Sequence, residues 1–250
     1  MLRWLWLGTV LCASGCKLFF PAPVVMRSVF DPLPGNAQAK CLIVLLPGYG
    51  DSAEAYRQQG FVDAIRRSGV SADIVAADAT LGYYLRGTAP GRIEHDVVAP
   101  LRARGYAQLW VLGISMGGFG SIHYTQSFPQ HVDGILALAP YVGDVSVENE
   151  IRGAGGLVKW TPDPAAPLTE DNYRRQTWSW LHQVVTGKQK GPEIYLGFGD
   201  QDRLGRDSLL AAALPKDRVF SAPGGHDWPA WRELLRQFLQ ASEFQRRCAP

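Results

Sequence analysis

The chain has 250 residues, 46% of them hydrophobic, with 25 basic against 23 acidic side chains and a formal net charge of +2. That near-balance, without a basic stripe or aromatic–basic interleaving, excludes nucleic acid as an expected partner. The length suits one domain with a substantial core, and no repeat or low-complexity linker divides it.

The first residues stand apart from the fold. Arg3 precedes an almost wholly apolar run at residues 5–12, and the small residues Ala13-Ser14-Gly15 follow. This is the layout of a secretory signal over 1–15, too short to span a bilayer, and no second run of spanning length follows. The tetrad Ala13-Ser14-Gly15-Cys16 resembles a bacterial lipobox, which implies lipid on Cys16 and residence in the periplasm or at the outer membrane. An ordinary secretory cut at the same bond is the rival reading. Cysteine parity favours lipid: with Cys12 removed and Cys16 acylated, Cys41 and Cys248 remain as a pair.

Residues 16–40 read as a tether carrying one edge strand over 24–30, with a turn at 32–35. The body, 41–250, then alternates strand and helix signals, which predicts a mainly parallel sheet covered by helices on both faces. Residues 41–46 are a continuous apolar run, as a strand buried on both sides requires. A helix is expected over 52–68, N-capped by Ser52 and stopped by Gly69, then a strand over 72–77. A helix over 92–104 presents Ile93, Val97, Val98 and Leu101 on one side. A strand over 108–114, a helix over 116–128 and a strand over 132–139 come next. Residues 143–191 break this rhythm with glycines and prolines and a helical stretch over 169–185, as a cap inserted over a site would. Strands over 193–197 and 218–221 and an amphipathic helix over 228–243 complete the chain.

Chemistry is concentrated in the turns. Gly113-Ile114-Ser115-Met116-Gly117 fits G-x-S-x-G between a strand and a helix, the frame of a nucleophile elbow. A serine hydroxyl needs a base, and the base needs an acid to fix its tautomer. Of five histidines, only His226 lies on a glycine loop, Pro223-Gly224-Gly225-His226, that a parallel sheet delivers to the strand ends where Ser115 sits. His95, His123, His131 and His182 read as solvated or structural. Asp202 is the expected acid, with Asp200 as the fallback and Asp144 as a third option. The oxyanion donors are expected to be the backbone N–H groups of Met116 and of Tyr49, in the turn Pro47-Gly48-Tyr49-Gly50 after the first strong strand. Trp160, Trp178, Trp180 and Tyr173 in the inserted segment, and Tyr83 and Tyr84 after the second strong strand, are candidates to line a pocket around Gly48. The aromatic residues of the insertion read more readily as its own core. No metal-ligand spacing and no dinucleotide loop occur, so no cofactor is expected.

Three spaced signatures, Pro-Gly-Tyr-Gly at 47–50, Gly-Ile-Ser-Met-Gly at 113–117, and Gly-Asp-Gln-Asp at 199–202 with Gly-Gly-His at 224–226, resemble the α/β-hydrolase superfamily over roughly residues 41–243. The Gly-Gly-His-Asp-Trp text is similar to that of small serine esterases, S-formylglutathione hydrolases among them. The resemblance implies an α/β-hydrolase fold and cleavage of small-molecule or lipid-like carboxylic esters through an acyl–Ser115 intermediate. An acyltransferase of the same fold and a non-catalytic hydrolase-like binding protein are the alternatives. Topology adds one further expectation. The final helix starts at the active-site edge and runs back across the sheet, which brings Cys248 to the edge where Cys41 begins its strand and predicts a Cys41–Cys248 disulfide.

Overall fold

The computed structural model describes residues 20–35, 37–142, 145–162, 173–206 and 208–250. Cys16, its signal segment and Asp144 therefore lie outside the described residues. Seven strands, β1 (Ser28–Asp31), β2 (Cys41–Leu46), β3 (Ala72–Ala77), β4 (Gln108–Ile114), β5 (Gly134–Leu138), β6 (Glu193–Gly199) and β7 (Val219–Ala222), form one sheet in the order β1-β3-β2-β4-β5-β6-β7. Only β1 is antiparallel to its neighbour, with Ser28 opposite Ala77 and Asp31 opposite Ile74. The other five pairings are parallel. This is an α/β-hydrolase fold.

The continuous apolar runs follow from burial on both faces. Side chains alternate across a strand, so Leu42, Val44 and Leu46 of β2 enter one core cluster while Cys41, Ile43 and Leu45 enter the other. The first cluster is covered by a helix over 89–102 and by Met116–Ser127. The second is covered by Phe61–Arg67, Trp228–Phe238 and Ser242–Cys248. In chain order the helices are α1 (Ala55–Gln58), α2 (Phe61–Arg67), α3 (Leu81–Leu85), α4 (89–102), α5 (Met116–Ser127), α6 (Val145–Gly153), α7 (Tyr173–Val185), α8 (Arg203–Arg206), α9 (Trp228–Phe238) and α10 (Ser242–Cys248).

Three helices differ from the sequence reading. The expected helix over 52–68 is two, because Gly60 takes φ 75° and stops α1 before α2 begins. Ser52 is not the N-cap of α1: Glu54 holds that position without a side-chain hydrogen bond, and the Ser52 carbonyl accepts the Ala55 N–H in the turn before it. The middle six residues of α4, Ile93–Val98, are wound as a π-helix, which still buries Ile93, Val97 and Val98. The closing helix ends at Phe238, and extended Ala241 redirects the chain into α10. That turn lets α10 lie against the amino ends of the strands. There Cys248 is joined to Cys41 by a disulfide with Cα atoms 5.6 Å apart, and the Cys248 carbonyl accepts the Ser71 N–H at 2.7 Å.

Candidate active site

The carboxyl ends of the parallel strands carry the candidate residues. Ser115 sits between β4 and α5 with φ 53° and ψ −113°, a conformation that L-residues rarely adopt and that costs on the order of 1–3 kcal/mol. Its backbone is held from both sides. The Ser115 N–H donates to the Leu138 carbonyl at 2.8 Å, and the Ser115 carbonyl accepts from the Tyr141 and Phe119 N–H groups. The glycines around it are required by close approach. A Cβ on Gly113 would fall 1.9 Å from the Gly117 carbonyl oxygen, and one on Gly117 would fall 2.0 Å from that of Leu46. Leu46 ends β2, so the start of α5 is pressed against the strand whose following turn carries Tyr49.

His226 and Asp202 meet at the same edge. His226 Nδ1 lies 2.7 Å from Asp202 Oδ2, with the Asp202 side chain 2% exposed and that of His226 34% exposed. Asp202 Oδ1 also accepts the Leu204 N–H at 2.9 Å, so both carboxylate oxygens are engaged. Trp231 stands edge-on to the imidazole with ring centroids 5.1 Å apart. The glycine loop under His226 is fixed by the other carboxylates. Asp227 caps α9 by accepting the Ala230 N–H, and Asp200 Oδ1 accepts the Gly224 N–H at 3.1 Å. Asp200 thus braces the loop, while Asp202 holds the ring. Ser115 and His226 make no hydrogen bond to each other, and the only side-chain hydrogen-bond partner of the His226 ring among the described residues is Asp202. With Nδ1 donating to Asp202, His226 Nε2 is the ring nitrogen free to accept a proton.

A Cβ on Gly48 would lie 3.7 Å from Ser115 Cβ, so the 47–50 turn adjoins the serine. Among the described residues, the Tyr49 N–H donates to no acceptor, and the Met116 N–H donates to none outside the helix it starts. Asp51, a residue without an assigned role in the sequence reading, closes this turn by donating its N–H to the Gly48 carbonyl. Burial raises its carboxyl above the usual range. The remaining histidines are engaged elsewhere. His95 pairs with Asp96 and His131 with Glu94. His182 contacts the Leu157 carbonyl and Lys188. His123 stacks on Phe119, and burial lowers its pKa.

A cavity of about 290 Å³ opens beside Met116. Its walls are aromatic and aliphatic, from Tyr84, Met116, Phe119, Tyr141 and Tyr173, with Leu81, Leu85 and Arg174 at the sides. Tyr84 and Tyr173 are where the sequence reading placed pocket residues. Tyr83 is not: it is buried, and its hydroxyl donates to the Pro23 carbonyl. Trp160 and Trp180 are also absent from these walls. They are buried with Ile151, Leu157 and Leu181 in the same core cluster as Leu42, Val44 and Leu46 of β2. The Trp160 indole donates to Glu150, which Arg175 and Trp160 together hold down at about 2. Trp178 lines a separate cleft of about 150 Å³ with Val142 and Leu209. Tyr141, Phe119 and Arg174 carried no local signal. Tyr141 reaches the site because Ala139, at φ 45°, turns the chain back over Ser115.

A family model described as "Putative esterase" matches residues 99–241, more than half of the chain and all three candidate residues. The chain belongs to this esterase family. Among solved structures, Est1E from Butyrivibrio proteoclasticus is similar at 15% identity and a TM-score of 0.60, covering 91% of this chain and 97% of that one. The S-formylglutathione hydrolase FrmB from Staphylococcus aureus is similar at 14% identity and a TM-score of 0.56, covering 88% and 98%. At these identities the likeness is one of fold. No curated protein sequence matches the chain. Esterase family and fold together support ester hydrolysis by a serine hydrolase.

Proposed function

We propose that the protein is an exported serine hydrolase that cleaves carboxylic esters of small or lipid-like molecules, with Ser115 as nucleophile, His226 as base and Asp202 as acid. The observation that carries this reading is the buried Asp202 carboxylate 2.7 Å from His226 Nδ1, on the strand edge where Ser115 is held in a strained turn. In the forward step His226 Nε2 takes the Ser115 hydroxyl proton as Oγ attacks the ester carbonyl. Asp202 keeps Nδ1 protonated and stabilises the imidazolium that forms. The developing oxyanion is received by the Met116 and Tyr49 N–H groups. His226 then returns the proton to the departing alcohol, leaving an acyl–Ser115 ester. Water activated by His226 releases the acid and restores the serine. The aromatic cavity beside Met116 takes the acyl or alcohol group.

The N-terminal reading belongs to the same proposal. Residues 1–15 are a removable signal, Cys16 is the lipid-bearing mature N-terminus in the periplasm or at the outer membrane, and residues 143–191 cap the hydrolase domain. Intact mass of membrane-extracted protein tests the anchor, and a free N-terminal Cys16 in a soluble fraction would contradict it. Stopped-flow release from a nitrophenyl ester tests the chemistry. A burst matching the enzyme concentration, followed by slower turnover, is expected. Absence of any turnover across a series of acyl chain lengths would reject the proposal. Formation of a new ester from an added alcohol, in preference to the free acid, would redirect it to acyl transfer.

A further inference from the structure

The carboxyl edge of the sheet carries more than the candidate site. The N-terminal arm is fastened to it. Phe20 and Pro21 cross α3 so closely that a Cβ on Gly82 would meet their carbonyl oxygens at 2.5 and 2.4 Å. The Phe20 carbonyl accepts from Arg86, that of Pro21 from the Thr80 hydroxyl and that of Pro23 from the Tyr83 hydroxyl. The Phe20 ring lies 6.4 Å from that of Tyr49, in the turn beside Ser115.

Exposed apolar side chains gather on the same edge. Val24 and Val25, 84% and 65% exposed, follow directly on the arm and precede β1, whose first residue pairs with the carboxyl end of β3. Tyr49, Leu85 and Tyr141 are exposed on the segments after β2, β3 and β5. Tyr141 and Leu85 share the cavity beside Met116, and Tyr141 shares the second cleft with exposed Val145 and Leu204. Tyr141 thus joins Leu85, Val145 and Leu204 around one mouth, with Val24 and Val25 on the same edge of the sheet. Among the large exposed hydrophobics of the described residues, only Val158, between α6 and α7, lies outside these segments. Water-facing apolar side chains scattered singly are ordinary, but a group rimming one opening marks an interaction surface.

The sequence says what covers it. Cys16, the lipid-bearing N-terminus of the proposal above, stands four residues before Phe20. Four residues span at most about 14 Å, so a bilayer that holds residue 16 lies within that reach of the arm and hence of the mouth. We propose that this edge docks on a lipid bilayer, with Val24, Val25 and Val145 in the interface, so that the site draws its ester from the membrane. Aromatic rings such as Tyr49 and Tyr141 suit the headgroup level, and aliphatic side chains suit the acyl boundary beneath it. The proposal rests on the serine-esterase reading for its chemistry and on the Cys16 anchor for its reach to the bilayer.

The test uses the full chain reconstituted on vesicles of phosphatidylethanolamine and phosphatidylglycerol. A fluorophore is attached through Val145→Cys, or through Gln240→Cys just beyond the end of α9, with the unsubstituted chain as the background. A quencher carried on the lipid is expected to dim the label at 145 and not the label at 240. In parallel, V24S/V25S/V145S is expected to lower hydrolysis of a vesicle-borne ester about tenfold, since three apolar side chains lose their burial. Turnover of a soluble short-chain ester is expected to stay unchanged. Equal quenching at both positions, or equal activity of the triple variant on vesicles, would overturn the docking. A concentration-dependent dimer abolished by V24S/V25S would overturn it in favour of a second copy. If the unsubstituted chain hydrolyses neither ester, the esterase reading fails, and the quenching alone decides the docking.

Discussion

Replacing Asp202 by asparagine is expected to remove nearly all activity while leaving the fold intact, and the structure shows why an almost isosteric change is so costly. Asp202 Oδ1 accepts the Leu204 N–H at 2.9 Å, and Oδ2 faces His226 Nδ1 at 2.7 Å. An asparagine must keep its oxygen on Leu204, because only oxygen accepts there. Its amide nitrogen then faces Nδ1 and donates to it. The proton moves to Nε2, the nitrogen that has to accept from Ser115, and the neutral ring is locked in the wrong tautomer. Loss of the carboxylate also leaves the imidazolium without its partner in a site where Asp202 is 2% exposed. By analogy with other serine–histidine–aspartate sites the fall in kcat is on the order of 10⁴, about 5.5 kcal/mol of transition-state stabilisation. Initial rates with a short-chain nitrophenyl ester measure it. D200N is the control. Its oxygen can still accept the Gly224 N–H that Asp200 holds at 3.1 Å, and its rate is expected to stay within about tenfold of the parent. A D202N enzyme retaining a tenth of the parent rate, or a crippled D200N beside an active D202N, would refute the assignment.

Two further outcomes concern the scaffold. The Cys41–Cys248 disulfide closes a loop with a sequence separation of 207, so the chain-entropy model gives roughly 5 kcal/mol of stabilisation. A urea midpoint that does not fall in C41S/C248S, or two alkylatable thiols in protein from an oxidising compartment, would contradict it. A Cβ on Gly120 would lie 2.0 Å from the Tyr84 hydroxyl, which is buried and has no hydrogen-bond partner among the described residues. Gly120→Ala should therefore cost about 1–3 kcal/mol of stability by overpacking and disturb the wall of the cavity beside Met116. Adding Tyr84→Phe should restore most of that loss. Strict additivity of the two changes in a double-mutant cycle would show that they do not touch.

The strands were legible because burial on both faces leaves no choice of residue. Residues 41–46 and 72–77 are apolar almost throughout, and their bounds match β2 and β3. The turns at the strand ends were legible because chemistry and backbone strain both restrict them: a Cβ on Gly113 or Gly117 would fall about 2 Å from the carbonyl oxygen of Gly117 or Leu46. Helix lengths were less so. The apolar pattern over 52–68 continues through Gly60, so the one local sign of the break is the glycine itself, whose φ is positive. Of the cavity walls, only Tyr84 and Tyr173 were legible as candidates. Those walls come from α3, α5, the turn after β5 and the start of α7, segments that meet only through the sheet order. The tryptophans of the insertion show the converse. An aromatic side chain is equally suited to a core or a pocket, and Trp160 and Trp180 are packed into the core.

The central claim is that Ser115 forms the acyl-enzyme. The most direct measurement is the mass of the protein after reaction with a fluorophosphonate, followed by peptide mapping. One adduct per chain on the peptide containing Ser115 is expected, with activity lost in proportion and no adduct in Ser115→Ala. An adduct on another residue, or full activity in Ser115→Ala, would contradict the account.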